Sequence, residues 1–181
     1  AADIGTEPIA LKLALTAYLV SLAIFIPISG WMADRFGAKN VFRGAILVFV
    51  VGSVFCAMSN SLGAFVVSRF IQGMGGAMMT PIARLVLVRA TPTSAPVNAM
   101  AWLTTPALVG PLIGPPVGGF ITTYVSWHWI FIINVPIGLA GIAVSGLVLP
   151  RIEGGARRPI DWTGFFLAAV AASGIVFGLS V

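Results

Sequence analysis

The chain has 181 residues, 59% of them hydrophobic and 8% charged, with a mean hydropathy of +1.05. Soluble domains carry about 25% charged residues, so this chain cannot cover a globular surface with charge, and a polytopic membrane protein fits instead. One cysteine and one histidine exclude an internal disulfide and argue against a metal cluster, and a net charge of +5 placed between apolar runs reads as membrane topology rather than nucleic-acid binding.

A helix needs about 20 apolar residues to cross the bilayer core. Six runs qualify: Ile9–Trp31, Val41–Met58, Leu62–Val88, Val97–Thr123, Trp129–Leu149 and Trp162–Val181. Strands of a membrane barrel would be shorter and would alternate. The first run offers Thr16, Tyr18 and Ser21 as candidate cavity-lining groups. After it, "GWMADRFGAKNVFRG" packs Asp34, Arg35, Lys39 and Arg43 into one short connection. Gly30 and Gly37 flank these charges and permit a tight turn between helix ends. Asp34 can receive an arginine or the positive end of a helix. The simplest reading of the cluster is a set of positive-inside anchors with an acidic partner.

The third run holds "AFVVSRFIQGMGGAMMTP", with Arg69 inside a span. A charge at mid-membrane costs from ~3 to above 10 kcal/mol by different measures. Arg69 lies about seven residues into its run, roughly 10 Å from the outer end at 1.5 Å per residue. It is either a functional group facing the bundle interior or an arginine snorkelling outward. Gln72, three residues on, can share a hydrogen-bond network with it. Gly73, Gly75 and Gly76 let a neighbouring backbone come close. Met74, Met78 and Met79 read as core filling or as an adaptable apolar pocket.

The fourth run, "TTPALVGPLIGPPVGGF", sets Gly110, Gly114 and Gly118 at four-residue spacing on one helix face, a packing surface by physics alone. Pro106, Pro111, Pro115 and Pro116 each remove a donor and should bend the helix. Trp127, His128 and Trp129 open the fifth run as an interfacial belt, with Asn134 as a cross-helix donor and Pro136 as a local kink. "PRIEGGARRPID" is a polar linker and marks a boundary before the sixth run.

Connections carrying Arg35, Lys39 and Arg43, then Arg84 and Arg89, then Arg151, Arg157 and Arg158 alternate with the uncharged "CAMSNSLG" and "TTYVSW". That is a positive-inside pattern: basic connections cytoplasmic, Ala1 and Val181 outside. The simplest completion is one missing helix before Ala1.

The charged turn resembles the loop signature of the major facilitator superfamily, G-x-x-x-D-R-x-G-x-K, carried by Gly30, Asp34, Arg35, Gly37 and Lys39; Ala38 stands where a basic residue is often found. "RFIQGMGGA" resembles that family's fourth-helix motif, and "GPLIGPPVGG" its fifth-helix antiporter motif, carried by Gly110, Gly114, Pro115, Gly118 and Gly119. "SWHWIFIINVPIG" and "DWTGFFL" resemble the drug:proton antiporter branch with fourteen spans. The resemblance implies an all-α, polytopic membrane protein: part of the N-terminal six-helix bundle (spans 2–6, residues 1–149), a cytoplasmic linker (150–161) and span 7 (162–181). It implies a multi-pass protein of the inner cell membrane that takes a small-molecule substrate and protons, with membrane lipid around it and no cofactor, metal or nucleic acid. Its partners would be a missing first helix and the C-terminal half of the same transporter. Arg69 and Gln72 would serve proton coupling, Arg69 by acting on a nearby carboxylate or anion, since a guanidinium does not release its proton. No run holds a mid-span Asp or Glu, so the titrating partner is expected elsewhere. The function implied is proton-coupled export of drugs or other amphipathic molecules by alternating access. The alternative is a non-transporting membrane scaffold or sensor on the same fold. A membrane-embedded enzyme lacks the nucleophile–base pair or metal ligands it would need.

Overall fold

The computed structural model describes residues 8–90, 96–149 and 159–180. Among them, seven helices follow in order: α1 (Pro8–Phe36), α2 (Ala38–Met58), α3 (Leu62–Ala90), α4 (Pro96–Tyr124), α5 (Trp129–Ile132), α6 (Asn134–Val148) and α7 (Trp162–Ser180). Among the described residues, Lys12–Phe36, Ala38–Met58, Leu62–Arg89 and Trp129–Val148 are long and apolar enough to cross a membrane, and Trp162–Gly178 is a shorter apolar helix. The run ending at Val181 forms α7, with Val181 itself outside the described residues, as are Arg151, Arg157 and Arg158 of the linker.

Local chemistry sets the ends. α1 runs on to Phe36, past the expected Trp31, and only Gly37, at φ 84°, separates it from α2. Gly30 is therefore not a turn residue: it lies exposed within α1, and a Cβ there would meet nothing within 4 Å. Residues 31–36 include no proline and sustain the helix, and Gly37 alone adopts the left-handed φ that other residues resist. Ser61 starts α3, its Oγ accepting from the Ala64 N–H at 3.3 Å. Asp161 starts α7 in the same way, accepting from Gly164 N–H at 2.9 Å; both are ordinary N-caps. The fifth predicted run is broken at Ile133 into α5 and α6. Pro136 has no N–H to give the carbonyl four residues back, so the ladder fails one turn before it.

α3 is the central helix, packed between α1 and α2, while α6 lies on α2 and α7 along α1. The glycines of α3 make this possible. A Cβ at Gly73 would stand 2.7 Å from the Tyr18 carbonyl oxygen on α1. One at Gly75 would run into the Phe49 backbone nitrogen and lie 2.6 Å from the Ala45 carbonyl oxygen on α2. Gly138 brings α6 onto Val50 in the same fashion. One apolar cluster (Ala33, Ala38, Val41, Ala45, Met78, Ile82, Val86) fills the end near Gly37. Met78 and Met79 belong to it, which is the core-filling role, and Met74 and Met78 also edge an apolar cleft of about 340 Å³ with Met32 and Phe36. A second cluster (Ala14, Cys56, Phe65, Phe131) fills the opposite end.

α4 stands apart. It is one helix through four prolines and, among the described residues, touches α3 and α5 appreciably. A Cβ on Gly110, Gly114, Gly118 or Gly119 would meet nothing within 4 Å, so the small-residue face expected to pack is uncovered by the described residues.

Candidate functional site

Arg69 and Gln72 sit one turn apart on α3, and the network expected of them is present. Arg69 donates from a terminal guanidinium nitrogen to Gln72 Oε1 at 3.0 Å. Gln72, 2% exposed, donates from Nε2 to Ser53 Oγ on α2 at 2.7 Å. Ser53 Oγ in turn donates a hydrogen bond to the Phe49 carbonyl at 2.8 Å. Asn134, at the start of α6, approaches Ser53 Oγ at 3.5 Å, a long and weak contact. The chain of contacts crosses three elements. Gly52 makes it fit: a Cβ there would lie 2.6 Å from Gln72 Cα, so only glycine lets Gln72 come in against Ser53.

The guanidinium is also enclosed by rings. Its carbon lies 4.7 Å from the Phe131 centroid, 5.5 Å from Phe65 and 5.8 Å from Tyr18. Arg69 Nε is buried with no hydrogen-bond partner among the described residues. A hydrogen bond involving a charged group contributes about 1.5–3 kcal/mol, and a desolvated cation–π contact about 2 kcal/mol. Together they offset the lower estimate of burying a charge in a membrane and fall short of the upper one. The remaining donors of the five-donor fork are chemically suited to an anion or to water.

The first-run candidates divide. Tyr18 is half-buried and presents its ring to Arg69. Ser21 is fully buried and donates to the Phe70 carbonyl at 2.7 Å, tying α1 to α3. Thr16, 9% exposed, is buried likewise.

A second polar group lies at the far end of the bundle. Asp34 accepts from Arg89, at the end of α3, at 2.8 Å, with the two side chains 40% and 33% exposed. Lys39 Nζ donates to the Gly146 and Leu149 carbonyls at 2.7 and 2.8 Å, closing the C-terminal end of α6, where helix carbonyls lack intrahelical donors. Arg35 is exposed. The ends of α1, α3 and α6 and the start of α2 are thus tied together on one side. On the other, Trp127 packs edge-on against Phe65 at 5.7 Å. Trp127 therefore turns inward rather than forming a belt, while Trp129 is exposed. His128 stacks on Trp127, its Nδ1 2.8 Å from Ser126 Oγ. Sequence reasoning did not single out Ser53 or Phe131. A serine in an otherwise apolar run was the available signal for the first; the second had none beyond being aromatic.

An all-α bundle of apolar helices around an arginine, with Asp34, Lys39 and Arg89 gathered at one end, defines a multi-pass membrane protein. The family model of the Major Facilitator Superfamily matches residues 1–181, and the chain belongs to that superfamily. It is 44% identical over 179 residues to "Probable transport protein HsrA" of Haemophilus influenzae, covering 99% of this chain and 38% of that protein. It is 41% identical to "Putative multidrug resistance protein MdtD" of Cronobacter sakazakii and of Serratia proteamaculans, over 99% of this chain and 38% and 37% of those proteins. The chain thus spans less than two fifths of the length of these relatives.

Proposed function

We propose that this chain supplies spans 2–6 (residues 1–149), the following linker (150–161) and span 7 (162–181) of a proton-coupled transporter. The transporter would export drugs or other small amphipathic molecules across the inner membrane by alternating access. The observation that carries the reading is Arg69: a permanently charged group kept inside an apolar bundle by Gln72 and Ser53, with donors left over. Spent on packing alone, it is a poor choice, because a charge costs more there than any apolar side chain. Given to a carboxylate on another span, it holds that acid ionised until substrate or conformation changes the contact, which is what exchange of a proton for a substrate needs. The names of the relatives, transport and multidrug resistance, support the same reading. In it, the Asp34–Arg89 and Lys39–α6 ties lie on the cytoplasmic side and hold in one access state more strongly than in the other. Arg35 and Gly37 complete that gate, and the glycine face of α4, with Pro115, meets another span.

The test is efflux of a fluorescent dye from energised vesicles holding the full-length protein, with membrane protein level measured alongside. Arg69→Ala is expected to insert normally and lose proton-driven efflux, and Arg69→Lys, which keeps charge but loses the planar fork, to recover at most part of it. Wild-type efflux with Arg69→Ala would refute the reading.

A further inference from the structure

We infer that Phe131 is a positioning residue for Arg69, closing the route by which the guanidinium would otherwise snorkel out of the bundle. The inference rests on the transporter reading above. Of the three rings around Arg69, Phe131 is nearest, at 4.7 Å, and it is 4% exposed. It is held by its neighbours: Phe65 stands edge-on to it at 5.7 Å and Trp127 at 6.2 Å, and Phe65 and Trp127 are edge-on to each other at 5.7 Å. Such mutual edge-to-face contacts fix ring planes.

The place of this cluster matters as much as its distance. Phe65 is one turn nearer than Arg69 to the Ser61 end of α3, and Trp127 lies in the connection between α4 and α5. The rings therefore stand between Arg69 and the nearer membrane surface, roughly 10 Å along the helix. A long cationic side chain at that depth moves toward water unless something stops it. Here the outward path is filled by apolar rings, whose negative faces also reward the cation for staying. The side chain is left with Gln72 as its hydrogen-bond acceptor among the described residues.

Phe65 shares α3 with Arg69 and moves with it, and Tyr18 is farther away. Phe131 belongs to α5, a four-residue segment separated from α6 at Ile133. It is therefore the ring whose position relative to Arg69 changes when the connection between α4 and α5 shifts. Movement of that connection and freedom of the charge are joined through one side chain.

The experiment uses the full-length protein in proteoliposomes with ethidium as the probe and a proton gradient as the driving force. Phe131→Leu keeps an apolar side chain and removes the ring. Phe131→Tyr keeps the ring, and stepwise fluorinated phenylalanine at position 131 keeps the shape while draining the negative face. Expected are a roughly tenfold loss of efflux for Phe131→Leu, retention within about twofold for Phe131→Tyr, and a graded loss along the fluorine series. Nuclear magnetic resonance of the Arg69 guanidinium gives a second readout that needs no substrate. Its protons should be shifted by the ring in the wild type and return to their ordinary positions in Phe131→Leu. Wild-type efflux across the fluorine series while Arg69→Ala is inactive would overturn the positioning role alone. Wild-type efflux with Arg69→Ala, or no dye movement by the unmodified protein, would instead fail the transporter reading. The resonance shift then still decides whether Phe131 holds Arg69.

Discussion

A methyl group added at Gly75 would enter the α2 backbone, with the Ala45 carbonyl oxygen 2.6 Å away. Backbone atoms cannot swing aside as a flexible side chain does, so Gly75→Ala must push α2 and α3 apart, a cost of about 1–3 kcal/mol by analogy with overpacked cores. Gly30→Ala meets nothing within 4 Å in an exposed stretch of α1, and relief of glycine's conformational entropy gives it up to about 0.5–1 kcal/mol. Thermal unfolding of the purified protein should show a clearly lowered midpoint for Gly75→Ala and an unchanged or raised one for Gly30→Ala. Residues of one type thus differ according to what faces them. The sequence marks Gly73, Gly75 and Gly76 as sites where a neighbouring backbone comes close; Gly73 and Gly75 are, while Gly76 faces side chains alone, the Tyr18 hydroxyl nearest at 3.1 Å. It marks Gly110, Gly114 and Gly118 by the same logic, and they face nothing among the described residues. Spacing along a helix defines a face; it does not say what covers it. Trp127 and Phe131 were illegible for a related reason, since an aromatic residue at a membrane boundary can turn outward to the interface or inward to a cation with the same local pattern.

Two contacts tie the helix ends near Gly37, and their strengths differ. The Asp34–Arg89 pair is more than one third exposed on average and falls among surface ion pairs, worth about 0–1 kcal/mol. Lys39 gives two short bonds to carbonyls at the end of α6, 107 and 110 residues away in sequence. Charged donors on such carbonyls count for more, about 1.5–3 kcal/mol each. Lys39→Met should therefore loosen the last turn of α6 more than Asp34→Asn loosens α1 from α3. Backbone hydrogen exchange over residues 145–148 should quicken about tenfold or more in Lys39→Met, while exchange at the end of α3 in Asp34→Asn changes by less than about fivefold. Equal rates in the two variants would remove the ranking. The charged cluster was legible as a cluster. Its partners were not, because both lie on helices distant in sequence and are brought close only by the packing of α3 and α6.

For the molecule as a whole, the ties of Asp34 to Arg89 and of Lys39 to the end of α6 place the basic connection after α1 and the basic end of α3 on one side, with the end of α6, in keeping with their alternation along the chain. Single cysteines test which side that is, in a background with Cys56→Ala; Cys56 is fully buried and contributes little to labelling in any case. An impermeant maleimide applied outside cells should label Asn60→Cys and leave Arg35→Cys untouched; the reverse would invert the topology. The face of α4 that the described residues leave uncovered has a consequence of another kind. Pro115 and Pro116 supply no N–H to the carbonyls of Pro111 and Leu112, and Leu112 is 75% exposed. In lipid an unanswered carbonyl costs several kcal/mol, and a glycine-rich helix has little side-chain packing of its own to resist unwinding. Until another span lies along it, α4 is where a proteolytic quality-control machine in the membrane would find the polypeptide easiest to pull apart. The lifetime of this protein in the cell would then depend on how soon that helix finds its cover.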